Sequence, residues 1–246
     1  RKKQEWLQSF VSLISFRLGS IDATGFLDGL YRSVRWALSW PCLLLAAAVI
    51  VYGLRILLVS FAELTAMLPA MAELAQPKYW GLWIATVAVV KVFHELGHAL
   101  ACKHFGGRCH EIGVILLAFV PCLYCDVSDV WRMPNKWHRI TVSAAGMAVE
   151  LLIAALALIT WSYAEPGVFR LWCLSVALIC SVTTLLVNAN PLLRYDGYYI
   201  LSDLVEVPNL ATRAQSLLTE RLSSWLQNQP PRHDPLLSPA RRRAVT

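Results

Sequence analysis

The run His94-Glu95-Leu96-Gly97-His98 places two possible metal ligands beside a group that can move a proton. On a helix, residues i and i+4 share one face, about 6 Å apart along the axis. Both imidazoles can then reach one Zn²⁺ at about 2.0–2.1 Å. Glu95, one residue along, can point at a metal-held water. Zinc draws the pKa of such a water towards about 7, and a neighbouring carboxylate takes its proton. With six His and nine Glu in 246 residues, chance supplies this pattern about 0.005 times.

A catalytic zinc needs a third protein ligand and one open position. Glu111, Asp126, Asp129, Glu150, Asp196 and the remaining histidines are all candidates. Asp196 is the strongest, because Asn188-Ala-Asn-Pro191-Leu-Leu-Arg-Tyr-Asp196-Gly197 follows a later apolar run at the depth of the histidine pair. Pro191 and Gly197 allow broken backbone there, although an Asp-Gly pair alone is an ordinary turn.

These groups must be held by elements in a membrane. Hydrophobic residues make up 57% of the chain and charged ones 15%, with a mean hydropathy of +0.52. Soluble domains average about 45–50% and about 25%. This excludes a disordered chain, an acidic tail protein and a disulfide-dense secreted domain. Four runs approach the 20 or so residues a span requires: about 36–61, 79–101, 140–163 and 168–187. The fold expected is an all-α polytopic membrane protein with about four transmembrane helices and a short re-entrant loop or hairpin at 111–124. Three units are expected: a cytoplasmic or interfacial segment at 1–35, a membrane-embedded core at 36–206, and an amphipathic helix with a basic tail at 207–246. The missing Met and the Arg241-Arg242-Arg243 run suggest a piece of a longer chain.

Lys and Arg alternate along the chain, with six before residue 36, one at 62–79, five at 102–139, one at 163–170 and seven after 190. By the positive-inside rule both termini of this segment are cytoplasmic. The net charge of +6 then belongs to cytoplasmic loops, and no nucleic-acid partner is expected. Ionisable groups within a span cost on the order of 2.5–3.5 kcal/mol each and are functional by default. That applies to the histidine cluster and to Glu150.

HELGH inside a span, with Asn-x-x-Pro-x4-Asp-Gly after a later one, resembles the site-2 protease (M50) family of intramembrane zinc metalloproteases. The strings HELGHALACKHFGGRCHEIGV, CDVSDVW and NPLLRYDGYYILSDLVEVPNL are similar to bacterial proteins named as peptide zinc metalloproteases. The likeness covers roughly residues 12–228. It implies zinc held by His94, His98 and Asp196, water activated by Glu95, and a substrate backbone or oxyanion held by Asn188. It also implies a multi-pass protein of the cell membrane, for a bacterium the inner one. The partners it implies are a peptide or membrane-protein substrate, the bilayer, and export or adaptor proteins. One departure stands out. Family members often carry Ala-Gly-Pro-x-x-Asn on the third core span, where this chain has Ala145-Gly146-Met147-Ala148-Val149-Glu150. Glu150 could pair with Arg or Lys, assist proton transfer and so tune the site, or simply hydrogen-bond between helices.

The remaining signals are weaker. Cys122-Leu-Tyr-Cys125 is a single CxxC that with Cys102, Cys109, His104 and His110 could make a second metal or redox site, but a structural zinc site wants two such motifs, and structural or incidental cysteines are favoured. Lys91 shares a broad helix face with His94. The reaction expected is hydrolysis of a peptide bond by zinc-activated water. The alternative is a non-proteolytic zinc-binding component of a peptide export or maturation complex. A di-iron oxidase would need more ligands than the cluster offers.

Overall fold

Among the described residues, four helices are long and apolar enough to cross a membrane: Trp40–Val59, Pro77–His104, Lys136–Tyr163 and Val168–Asn188. A helix satisfies its own backbone, which lipid demands. The computed structural model describes residues 15–117, 120–207, 209–216 and 219. In chain order the elements are strand β1 (Ser15–Asp22), helix α1 (Thr24–Val34), α2 (Trp40–Val59), α3 (Phe61–Met67) and α4 (Trp80–His104). Next come the strands β2 (Glu111–Leu117) and β3 (Val120–Cys125), then α5 (Lys136–Tyr163), α6 (Val168–Val182) and α7 (Asp196–Val205). A π-helical turn, Thr183–Asn188, extends α6.

Helix α5 is the hub, packed against α2, α4, α6 and α7. Its small residues let neighbours approach closely, as membrane helices require. At the α2 crossing, a Cβ on Gly53 would lie 2.7 Å from Ala155 Cα. The start of α5 is fixed by Asn135, whose side chain accepts the Trp137 N–H at 2.9 Å. Leu44, Leu45, Leu58 and Val59 on α2 are exposed, as expected of a face turned to hydrocarbon.

The expected re-entrant element is a β-hairpin, with Ile112 opposite Cys125 and Leu117 opposite Val120. The chain adds a strand that the sequence reading did not foresee. β1 pairs antiparallel with β2, from Ser15 opposite Leu117 to Asp22 opposite Glu111, giving the sheet order β1-β2-β3. Among the described residues β3 is therefore an edge strand of this sheet. After α6 the chain turns back, and α7 docks on the start of α5. Arg139 Nε donates to Asp203 Oδ1 at 2.6 Å, and Lys136 Nζ to Glu206 Oε1 at 2.8 Å. Of the amphipathic helix expected at 209–228, residues 210–216 are helical. Its remainder, apart from Thr219, lies outside the described residues, as do the interfacial stretch before residue 15 and the tail after 228.

Candidate metal centre

His94 and His98 are one turn apart on α4, and both are buried. Their Nε2 atoms are 3.1 Å apart. Asp196, the first residue of α7, brings its carboxylate to the same point. Oδ2 is 3.3 Å from His94 Nε2, and Oδ1 is 3.4 Å from His98 Nε2. A tetrahedral centre with bonds of about 2.0–2.1 Å separates its ligand atoms by about 3.3–3.4 Å. The two His–carboxylate distances, each to a different Asp196 oxygen, match that spacing, and the His–His distance of 3.1 Å is slightly shorter. Among the described residues, this trio alone groups three or more His, Cys, Asp or Glu side chains at metal-holding distance.

Polar satisfaction points the same way. Asp196 Oδ2 is buried without an aligned hydrogen bond, and buried polar atoms of that kind need an explanation. A cation held between the imidazoles and the carboxylate supplies one. Burial pushes the Asp196 carboxyl up, but the two adjacent imidazoles outweigh it and hold the group down at about 2. It is a carboxylate at neutral pH.

The rings are oriented from behind. His98 Nδ1 lies 2.8 Å from the Val142 carbonyl of α5. A carbonyl only accepts, so Nδ1 carries a proton and Nε2 is the atom turned to the centre, where its lone pair would be the ligand of a bound metal. His94 Nδ1 lies 3.1 Å from Glu150 Oε1, close but not aligned as a hydrogen bond. Glycine is required where α5 backs onto both rings. A Cβ on Gly146 would lie 2.7 Å from His94 Nε2 and collide with His98 Nε2. A Cβ on Gly197 would collide with the Ala189 carbonyl, so Gly197 lets α7 start close enough to present Asp196.

Glu95 points elsewhere. Its Oε2 accepts the backbone N–H of Cys125, the last residue of β3, at 3.1 Å. The sheet thus fixes the carboxylate at a cleft of about 270 Å³, lined also by His98, Trp131, Asp196 and Tyr199. Asn188 is buried, and its Nδ2 donates to Glu150 Oε2 at 3.3 Å, so its amide is turned to Glu150. The other acidic candidates stand apart from the trio. Asp129 accepts the Arg108 N–H at 3.1 Å, Asp126 pairs with Ser128, and Glu111 pairs with Asp22 across the sheet.

The sequence reading groups Cys109 with the CxxC as a candidate metal or redox cluster but favours incidental cysteines; the structure brings Cys109 and Cys125 together, with Sγ atoms 2.6 Å apart. Cys125 belongs to the CxxC, but its partner is upstream, and only the hairpin register reveals it. The contact draws the Cys109 thiol below its ordinary value and pushes that of Cys125 up.

Residues 82–170 match the family model described as Peptidase family M50. The matched residues include His94, Glu95, His98 and Glu150, while Asp196 lies beyond them. The protein is 33% identical over 127 residues to the Bacillus subtilis (strain 168) protein named "Putative peptide zinc metalloprotease protein YydH". That alignment takes in 50% of this chain and 48% of the relative, so the chain spans about half the length of the curated relative it matches. No solved structure matches.

Proposed function

We propose that this chain is the membrane-embedded core of a zinc metalloendopeptidase that hydrolyses a peptide bond in a membrane-associated or exported peptide. In this reading His94, His98 and Asp196 hold the metal and Glu95 is the general base. The observation that carries it is the convergence of the two imidazole Nε2 atoms and the two Asp196 carboxylate oxygens, 3.1–3.4 Å from one another across the three residues, beside a second carboxylate that does not join them. Zinc bound there supplies Lewis acidity towards water and a peptide carbonyl. Glu95, tethered by the Cys125 N–H, takes a proton from the attacking water and delivers it to the leaving amine.

A helical substrate hides its peptide bond in its own hydrogen bonds, so the segment to be cut must be extended. The edge strand β3 ends at Glu95 and offers backbone for an extended peptide to pair with. Proline substitutions along β3 should therefore reduce cleavage, and undiminished cleavage would remove this part of the reading. The Lys and Arg alternation supports a site opening towards the cytoplasm.

The test is Glu95→Gln in the full chain, purified in detergent. Zinc content should stay at the wild-type level, while cleavage of a co-expressed candidate peptide is lost. His98→Ala should lose the metal. A wild-type protein that takes up no zinc, or a Glu95→Gln variant that still cleaves, overturns the assignment.

A further inference from the structure

Glu150 has 0% of its surface exposed and lies one helical turn from Gly146, on the face of α5 that backs the imidazoles. Its two oxygens serve different elements. Oε1 accepts from Lys91 Nζ at 2.6 Å and lies 3.1 Å from His94 Nδ1, both on α4. Oε2 accepts from Thr184 Oγ1 at 2.5 Å and Asn188 Nδ2 at 3.3 Å. The Thr183 hydroxyl, which also faces the Ile179 carbonyl, lies 3.0 Å from the same oxygen. All three donors sit on the π-helical turn that ends α6 and leads towards Asp196.

We propose that Glu150 is the positioning residue of the metal site: it sets the His94 ring on α4 and anchors the turn that leads to Asp196. The inference rests on the metal reading above. Glu150 Oε1 faces His94 Nδ1 at 3.1 Å without hydrogen-bond alignment; with a metal at Nε2, the atom 3.3 Å from Asp196, the ring proton belongs on Nδ1, where a small rotation would let it donate to this carboxylate. Carboxylate–histidine pairs of this kind fix ring orientation and raise ligand basicity at metal centres. Lys91 balances the buried charge, which hydrocarbon would otherwise penalise heavily. The π turn matters too. Its wider winding is a device found at functional sites, and here it turns Thr184 and Asn188 to one carboxylate. Asn188, which the family likeness assigns to substrate, is thereby tied to the scaffold of the metal.

Glu150→Gln tests this, because it keeps the shape but cannot accept on both sides. The full chain in detergent is titrated with zinc against a chromophoric chelator, and thermal unfolding of the metal-free protein is followed in parallel. Affinity should fall about 10–100-fold at temperatures where the metal-free variant remains folded, even though loss of the Lys91 pair lowers its unfolding temperature, and the visible spectrum of the Co²⁺-loaded protein should shift. Wild-type affinity and an unchanged Co²⁺ spectrum overturn the inference. If Glu150→Gln does not fold, ¹⁵N-histidine resonances of the zinc-loaded wild type decide. A protonated Nδ1 and a metal-bound Nε2 on His94 support the inference, and ligation through Nδ1 overturns it. Zinc binding by wild type with no effect at Glu150 refutes this inference alone. Absence of zinc from wild type refutes the metal reading and this inference with it.

Discussion

Gly146→Ala offers a quantitative test of how the site is built. The added methyl would lie 2.7 Å from His94 Cε1 and Nε2 and overlap His98 Nε2. Ordinary contact begins at 3.4 Å, so the rings or α5 must give way by about 0.7 Å or more. The rings are not free to do so, since His98 is backed by the Val142 carbonyl at 2.8 Å and His94 by Glu150 at 3.1 Å. Metal–ligand distances tolerate only about 0.2 Å, so zinc affinity should fall by at least about 100-fold. Overpacking should cost the metal-free protein about 1–3 kcal/mol. Gly53→Ala is the matched control, with the same 2.7 Å overlap against Ala155 and no metal ligand nearby. It should lower stability similarly and leave zinc alone. Zinc titration and thermal unfolding in detergent separate the two losses. If Gly146→Ala binds zinc like wild type while losing the stability that Gly53→Ala loses, the ligand geometry argued here is wrong.

Other outcomes follow from the same contacts. In the metal-free protein, the Asp196 carboxyl is held at about 2 against an ordinary 3.8. A depressed carboxyl adds stability that is complete above about pH 4 and fades as pH falls towards about 2. Asp196→Asn should flatten that acid limb in fluorescence-monitored unfolding, and an unchanged limb would count against the contact. Arg139→Met leaves the nearly buried Asp203 carboxylate without its partner and should cost about 3–5 kcal/mol. Arg139→Met with Asp203→Leu should recover part of the lost unfolding temperature. A small-molecule disulfide should join Cys109 to Cys125, given their 2.6 Å separation. Peptide mass spectrometry would show the loss of two hydrogens, and a Cys109→Ser chain should not react this way.

What could be foreseen divides along the range of the signal. The spans were legible because hydropathy is local: the run expected at 140–163 is the helix Lys136–Tyr163, and that at 168–187 is Val168–Asn188. The histidine pair was legible because i, i+4 spacing fixes geometry within one helix. Asp196 needed two elements to meet, and it stood out only because its turn sits at the end of a span. β1 left no usable trace. Residues 15–22 carry Gly19, Ser20 and two charges, and their strand exists because the edge of β2 is there to pair with. The Cys109–Cys125 contact and the threonines beneath Glu150 are likewise products of tertiary register, invisible at any short spacing.

Formal charge ties these parts together. Lys91 and the carboxylates of Glu150, Asp196 and Glu95 stand around the two imidazoles, with Asp203, already paired to Arg139, and Asp126 further along the cleft. Lys91 offsets Glu150 directly, which leaves two negative charges on Asp196 and Glu95. In a low-dielectric surround such an excess is expensive, and a divalent cation cancels it. The arrangement favours an ion of charge two by electrostatics and zinc by donor type, with two nitrogens and one oxygen at tetrahedral spacing. It also explains why Lys91 sits behind the site. Nearer the ligands it would repel the metal, whereas under Glu150 it neutralises the support and leaves the ligand face negative.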